Sequence, residues 1–176
     1  MNTLIVAMDD DRLIGRGTEL PWRLPEDLKA FRTRTLGRTV ITGRATWQSL
    51  PTYPKRPYLD GRVNMVITRA ANRYNKDLAD AGAQVDPEGP WFVPTIELAI
   101  STARRRFPEF VEEFVIMGGR QIYELALRRD LVDRMIVTHV HGHHIGDVYF
   151  PEIPPAWTAT DRQPHGAYDI VTYEKA

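Results

Sequence analysis

Short apolar runs alternate along the chain with polar segments in which apolar residues recur at helical spacing. The runs predict buried strands, because a strand covered on both faces reads as a continuous hydrophobic stretch. Such strands are expected at residues 4–8, 39–42, 62–68, 91–93, 114–117 and 134–140. Two further strands, at 157–163 and 168–174, flank a turn at 164–166 and are expected to pair antiparallel.

Helices are predicted between most of these strands: one that begins at residue 25, then 46–50, part of 72–82, 95–107 and from 120 to 126. Strands that alternate with helices indicate an α/β fold with a largely parallel sheet and a late antiparallel strand. The sequence contains no internal repeat, low-complexity segment or linker, so it is interpreted as a single domain over residues 1–176.

The first helix carries a candidate functional acid. Its first position suits Pro25, and one of its faces is apolar at Leu24, Leu28, Phe31 and Thr35. Asp27 lies at the rim of this face, whereas Glu26 points roughly the other way. A carboxylate beside apolar walls has its charged form disfavoured, so we expect the pKa of Asp27 to be raised. The alternative is that both acids only favour the positive end of a helix.

Two predicted strands end in glycine and lead directly into a helix. Gly43 precedes the short helix, and Gly118 and Gly119 precede the helix from residue 120. Such turns present free N–H groups to an anion, and Arg44 adds a guanidinium group that matches phosphate. The G-x-G-x-x-G dinucleotide fingerprint is not met, but the two turns could face one extended, phosphate-bearing ligand.

Three other features are open to more than one interpretation. The segment 9–19 combines two glycines with apolar residues and fits either a plain surface connection or a lid. Arg62 stands at the mouth of a strand, where a solvated arginine is the simplest interpretation. His139, His141 and His143 alternate, so a metal is conceivable. No carboxylate lies at ligand spacing among them, and we expect no metal site.

Composition narrows the classes of function. Lys plus Arg and Asp plus Glu are equal at 23 each, which argues against a nucleic-acid or anionic-membrane surface. The lack of cysteine excludes disulfides, thiolate metal sites and cysteine nucleophiles. The apolar run at 4–8 is too short for a signal peptide or a membrane span, so a soluble cytoplasmic protein is expected.

Several short motifs occur in the order and approximate spacing of one enzyme family. They are Leu-Pro-Trp at 20–22, Leu-Pro-x-Asp at 24–27, Gly-Arg at 43–44, Gly-Gly at 118–119, Thr-His at 138–139 and Gly-Asp at 146–147. In these motifs the chain resembles dihydrofolate reductase, from residue 4 to the final strands. The resemblance implies an eight-stranded, mainly parallel sheet with an antiparallel C-terminal strand and helices on both faces.

The same resemblance implies a reaction and a substrate site. Hydride would pass from NADPH to C6 of 7,8-dihydrofolate with protonation at N5, giving the tetrahydrofolate used in one-carbon metabolism. Asp27 would bind the 2-amino group and N3 of the pterin and promote protonation, and Thr138 would support Asp27 through a hydrogen bond. Trp22 would help to position an ordered water and the lid, and Arg62 would pair with the glutamate α-carboxylate. The other substrate contacts would be Ile5, Leu28, Phe31, Leu50, Met117 and Tyr123.

For the cofactor, the resemblance implies that Ala7, Ile14 and Leu20 lie near the nicotinamide. Arg44 and Arg69 would meet the 2′-phosphate, and the backbone of the two glycine junctions would hold the pyrophosphate. The remaining cofactor contacts would be Gly15, Gly43, Ala45, Thr46, Thr68, Gly118, Gly119, Arg120, Gln121, Ile122 and Tyr123. A cis peptide bond is expected between the paired glycines.

Some residues depart from the family pattern. Met117 and Arg120 replace the Ile and the small residue expected around the double glycine, and Arg69 stands where a small hydroxyl residue is frequent. The loop at 51–57 is longer than in compact bacterial relatives, and the histidine pair at 143–144 has no role that the resemblance assigns.

Two other functions stay open at this point. One is a related NADPH-dependent pyrimidine reductase of riboflavin synthesis, and the other is a non-catalytic pterin- or nucleotide-binding module. The expected partners are dihydrofolate and antifolate-type small molecules, bound by a monomer without nucleic acid or membrane.

Overall fold

The computed structural model describes residues 1–51, 58–80 and 89–176. From residue 52 onward, the loop expected at 51–57 lies outside the described residues, as does the end of the segment expected at 72–82. The strands are β1 (Asn2–Asp9), β2 (Leu13–Gly15), β3 (Thr39–Gly43), β4 (Val63–Ile67), β5 (Trp91–Val93), β6 (Phe114–Ile116), β7 (Arg134–Val140), β8 (Val148–Tyr149), β9 (Trp157–Pro164) and β10 (Tyr168–Lys175). The helices are α1 (Pro25–Thr35), α2 (Arg44–Gln48), α3 (Ala71–Asp80), α4 (Ile96–Arg106) and α5 (Arg120–Arg128), with a 3₁₀ turn at Pro108–Phe110.

Within the described ranges, eight strands form one sheet in the order β5-β4-β3-β6-β1-β7-β10-β9. Every neighbouring pair from β5 to β7 is parallel. Strand β10 is antiparallel to β7, and β9 is antiparallel to β10. The predicted fold class is therefore confirmed. In the same part of the chain, no helix is long and apolar enough to cross a membrane.

Strand β1 lies at the centre of this sheet, between β6 and β7. Leu4, Val6 and Met8 are buried in the main core, together with residues of α4 and α5. Because parallel strands end at the same edge, the carboxyl ends of β1, β3, β6 and β7 share one edge of the sheet. That edge is where ligands bind in open α/β folds.

Helix α1 begins at Pro25, as predicted, and Pro25 occupies the first turn, where a missing N–H is harmless. Thr35 is buried, but Leu28 is 52% exposed. The predicted apolar face is thus only partly packed into the core. Leu28, next to Asp27, is the one residue of this face that is largely open to solvent.

Several predicted boundaries are wrong for identifiable reasons. The short helix begins at Arg44 rather than residue 46, because extended Gly43 is its N-cap. The segment 9–19 is not a continuous loop, since β2 within it pairs with β8. These strands have three and two residues, which is too short for a periodic pattern.

Candidate active site

The carboxylate of Asp27 on α1 meets the hydroxyl of Thr138 on β7. Thr138 Oγ1 donates a hydrogen bond of 2.6 Å to Asp27 Oδ1, which is the contact that the sequence led us to expect. Thr138 is buried and lies in register with Ala7 of β1 and Ile170 of β10. The central sheet therefore fixes the direction in which this carboxylate points.

The half-buried Asp27 carboxyl has a perturbed affinity for protons. Burial raises its pKa above the ordinary value, and the hydrogen bond from Thr138 and the charges of Arg34 and His165 oppose this only in part. The predicted direction of the shift is confirmed. A carboxyl in this state can hold a proton or pair with N–H donors inside a cleft.

The two glycine junctions meet at the carboxyl edge of the sheet, because β3 and β6 are neighbours. The N–H of Gly43 donates to the carbonyl oxygen of Gly118 at 2.7 Å, and Thr42 Oγ1 donates to the same oxygen at 3.1 Å. The peptide bond between Gly118 and Gly119 is cis, as expected. Helices α2 and α5 thus begin side by side.

The junctions have no room for larger residues. A Cβ atom on Gly119 would lie 2.8 Å from Thr46 Oγ1, and a Cβ atom on Gly43 would lie 2.9 Å from Ile122 Cγ1. The lack of a Cβ atom lets Thr46 and Ile122 pack closely against this backbone, and the first turn of α5 offers N–H groups to an anion. These residues fit the pyrophosphate of a dinucleotide.

Basic side chains surround the junctions on the surface. Arg44 and Arg69 are exposed, and Arg44 Nη1 is 3.5 Å from Gln48 Oε1, which is a weak contact. Arg120 Nε donates to Glu124 Oε1 at 2.8 Å. This departure from the family pattern is accommodated by an ion pair along α5. Ala45 and Gln121 are also exposed.

Other predicted cofactor and substrate residues belong to the framework of the site. The Tyr123 hydroxyl donates to the carbonyl oxygen of Ile5 at 2.8 Å and so joins α5 to β1. The N–H of Met117 donates to the carbonyl oxygen of Ile41 at 3.0 Å. Thr68 is buried, and its Oγ1 accepts from the N–H of Ala70 at 3.2 Å.

Two predicted substrate residues have surroundings that the sequence did not indicate. Leu50 is half-buried and packs against a small cluster centred on Trp47. Arg62 is 4% exposed, so the interpretation as a solvated arginine is wrong. Its Nε donates to Thr35 Oγ1 at 2.7 Å, and its Nη1 and Nη2 donate to the carbonyl oxygens of Asp60 and Arg32 at 2.6 and 3.2 Å.

The candidate lid is tied to the loop before β8. The N–H of Gly17 donates to Asp147 Oδ1 at 2.8 Å, and the N–H of Asp147 donates to the carbonyl oxygen of Gly15 at 3.1 Å. Ile14 packs against the core, whereas Leu20 is 52% exposed. One end of this segment is therefore anchored, and the other end projects into solvent.

Sequence reasoning missed the neighbour of Trp22. The indole is half-buried, and its centroid is 5.2 Å from that of His144, with the rings at 72°. The signal was a run of three acids at 9–11 and a histidine pair at 143–144, which are complementary in charge. The metal-ligand spacing of the histidines does not indicate this contact.

Strand β7 ends at Val140, so His139 is the last of the alternating histidines that lies on a strand. His139 is hydrogen-bonded to the Tyr173 hydroxyl, and His141 lies 3.3 Å from Asp169. Among the residues that the structure describes, no three His, Cys, Asp or Glu side chains are grouped as metal ligands.

Comparison with known proteins identifies the family. The dihydrofolate reductase family model matches residues 1–175. The chain is 38% identical to dihydrofolate reductase from Neisseria gonorrhoeae over 161 residues, which are 91% of this chain and 85% of that one. It is 34% identical to dihydrofolate reductase HdrB from Haloferax volcanii over 174 residues, covering 98% and 82% of the two chains.

A solved structure adds to these matches. Dihydrofolate reductase from Enterococcus faecalis, complexed with NADP(H) and RAB-propyl, superposes with a TM-score of 0.77 at 27% identity, covering 99% of this chain and 96% of that one. The chain belongs to the dihydrofolate reductase family.

Proposed function

We propose that this protein reduces 7,8-dihydrofolate to 5,6,7,8-tetrahydrofolate with NADPH. Family membership supports the reaction, and the Enterococcus faecalis relative with NADP(H) bound supports the cofactor. The observation that carries the proposal is the Asp27 carboxylate, half-buried and held by Thr138 at 2.6 Å. A pterin ring presents adjacent N–H donors that such a carboxylate can bind.

Asp27 would accept hydrogen bonds from N3 and the 2-amino group of the pterin and thereby fix the ring. Because its pKa is raised, the carboxyl holds a proton at a higher pH than an ordinary aspartate does, which promotes protonation of N5. Thr138 would not exchange a proton with the substrate. Its hydroxyl orients Asp27 Oδ1.

The chain's own residues would hold and orient the cofactor, which supplies the hydride for C6 when bound. The glycine junctions and Thr46 would hold the pyrophosphate, and Arg44 and Arg69 the 2′-phosphate. Ala7, Ile14 and Leu20 would flank the nicotinamide. Holding both ligands at one sheet edge removes much of the entropic barrier to their reaction, and the segment from β2 to Leu20 would exclude water.

The remaining roles are assigned by matching position. Leu28 and Phe31 on α1, with Ile5 on β1, would pack against the substrate rings. Arg62 would bind the glutamate α-carboxylate, since three protein oxygens orient its buried guanidinium group. The proposal includes a monomer in the cytoplasm. Sedimentation at assay concentrations tests the oligomeric state, and cell fractionation tests the location.

The direct test of the reaction is NADPH oxidation by the purified protein with and without dihydrofolate. We expect oxidation that requires dihydrofolate and yields tetrahydrofolate. Binding of NADPH without turnover would contradict the proposal and indicate a binding module. Turnover only with the pyrimidine of riboflavin synthesis would instead indicate the related reductase.

A further inference from the structure

Trp22 lies between β2 and α1, in a segment without regular secondary structure. The position of its indole therefore depends on side-chain contacts rather than on a helix or strand. The edge-on contact with His144, at 5.2 Å and 72°, has the geometry that aromatic rings prefer. Trp22 is also three residues before Pro25, the first residue of the helix that carries Asp27.

His144 is anchored to the end of the central strand. Its N–H donates to Asp9 Oδ2 at 2.8 Å, and its Nδ1 lies 3.3 Å from the same oxygen. Because a carboxylate only accepts hydrogen bonds, Nδ1 carries a proton when this contact is made. Asp9 thereby fixes both the backbone and the ring of His144.

Asp9 is itself held rigidly and is 1% exposed. Its Oδ1 accepts hydrogen bonds of 2.9 Å from the N–H groups of Asp11 and Leu13. Burial alone would raise the pKa of Asp9, but the hydrogen bonds from Leu13, His144 and Asp11 outweigh it and lower the pKa. A buried, ionised acid thus joins β1, the first residue of β2 and the loop that carries His144.

We propose that His144 is a positioning residue for Trp22, with Asp9 fixing the imidazole in place. This inference rests on the proposed function, because only in dihydrofolate reduction would Trp22 have the role that the family resemblance implies, which is to help position an ordered water and the lid. The contacts form a continuous path from the end of β1 through Asp9 and His144 to the indole. The path adds an anchor for the segment between the candidate lid and helix α1. This anchor is separate from the hydrogen bond between Gly17 and Asp147.

The adjacent His143 provides a matched control. Its side chain is 71% exposed, and its Nδ1 lies 2.7 Å from Asp11 Oδ2. His143 therefore has the same chemistry, lies in the same loop and has an acidic partner. That partner is exposed, however, and among the described residues Trp22 makes its ring contact with His144 rather than His143.

The test is a double-mutant cycle between positions 144 and 22. We expect His144→Ala to lower kcat by about 3- to 10-fold, the range expected for one aromatic pair, with the NADPH Kd unchanged. The same change in a Trp22→Leu background should lower kcat by less than about twofold. His144→Phe keeps a ring against Trp22 but loses the Nδ1 contact with Asp9, so it should recover only part of kcat. His143→Ala should have less than about a twofold effect.

Tryptophan fluorescence gives a second readout that does not depend on turnover. His144→Ala should change the emission of the wild-type background but not of the Trp22→Leu background, in which Trp47, Trp91 and Trp157 remain. All variants keep the N–H of residue 144 that donates to Asp9, and circular dichroism would check that they fold.

The possible failures can be told apart. Losses in kcat that are equal in both backgrounds, no emission change, or equal effects of His143→Ala and His144→Ala would each overturn the positioning role while leaving dihydrofolate reduction intact. If the wild-type protein does not reduce dihydrofolate, the proposed function fails, and the role of His144 in it fails as well, whatever the emission shows.

Discussion

The hydroxyl of Thr138 on β7 donates to Asp27 on α1 at 2.6 Å, across 111 positions of the sequence. This hydrogen bond joins the central sheet to helix α1 and sets the direction of the Asp27 carboxylate. It also opposes the effect of burial on the pKa of Asp27. The geometry and the proton affinity of the proposed catalytic acid therefore depend on the same contact.

Replacing Thr138 by Val should reveal this dual effect. Removal of the donor raises the pKa of Asp27 further and lowers kcat/KM by roughly 10- to 100-fold, since a hydrogen bond to a charged group contributes about 1.5–3 kcal/mol. The pH profile of kcat/KM measures both effects. Thr39→Val is the control. Thr39 lies on β3 rather than β7, and its Oγ1 donates to the carbonyl oxygen of Phe110, away from Asp27. An unmoved profile for the Thr138 variant would contradict the assignment.

Asp27→Asn should stabilise the protein near neutral pH while it removes activity. The folded-state pKa of Asp27 is raised, so above that pKa ionisation favours the unfolded chain, where the pKa is near 3.8. Asn does not ionise, so the variant's advantage should shrink as pH falls through the folded-state pKa. Thermal unfolding at several pH values measures this, with exposed Glu26→Gln as the control. A variant less stable than wild type at neutral pH would refute the expectation.

Local patterns in the sequence predicted most of the sheet and the start of α1. Strands β5 and β7 begin and end where the apolar runs do, and Pro25 marks the first turn of its helix. The β2–β8 pair was missed, because strands of three and two residues carry no period. The link from Asp9 to His144 spans 135 positions, and local spacing holds no information about such contacts.

Arg44→Ala should weaken NADPH binding by about tenfold, since an arginine and a phosphate form a charge-assisted contact. NADH lacks the 2′-phosphate, so its affinity should change little. Titration of each cofactor into the protein measures the two affinities. Arg73→Ala, at an exposed arginine on α3, is the matched control. Equal losses for NADPH and NADH would refute a 2′-phosphate role for Arg44.

Gly43→Ala should weaken NADPH binding by crowding the junction. The new Cβ atom would lie 2.9 Å from Ile122 Cγ1, and such overpacking costs about 1–3 kcal/mol. We expect a lower melting temperature together with a weaker NADPH affinity. Gly37→Ala is the comparison, because its φ of +71° strains the backbone while its Cβ atom meets nothing within 4 Å. It should lower stability without changing NADPH affinity. Equal affinity losses in both variants would contradict the proposed pyrophosphate site at the glycine junctions.

Asp27 is proposed to promote the reduction of dihydrofolate. The most direct measurement is the single-turnover rate of hydride transfer from NADPH to dihydrofolate in wild-type protein and in Asp27→Asn. We expect a loss of roughly 10²- to 10⁴-fold, the usual contribution of a positioned acid or base. A variant that transfers hydride within a factor of a few of the wild-type rate would contradict it.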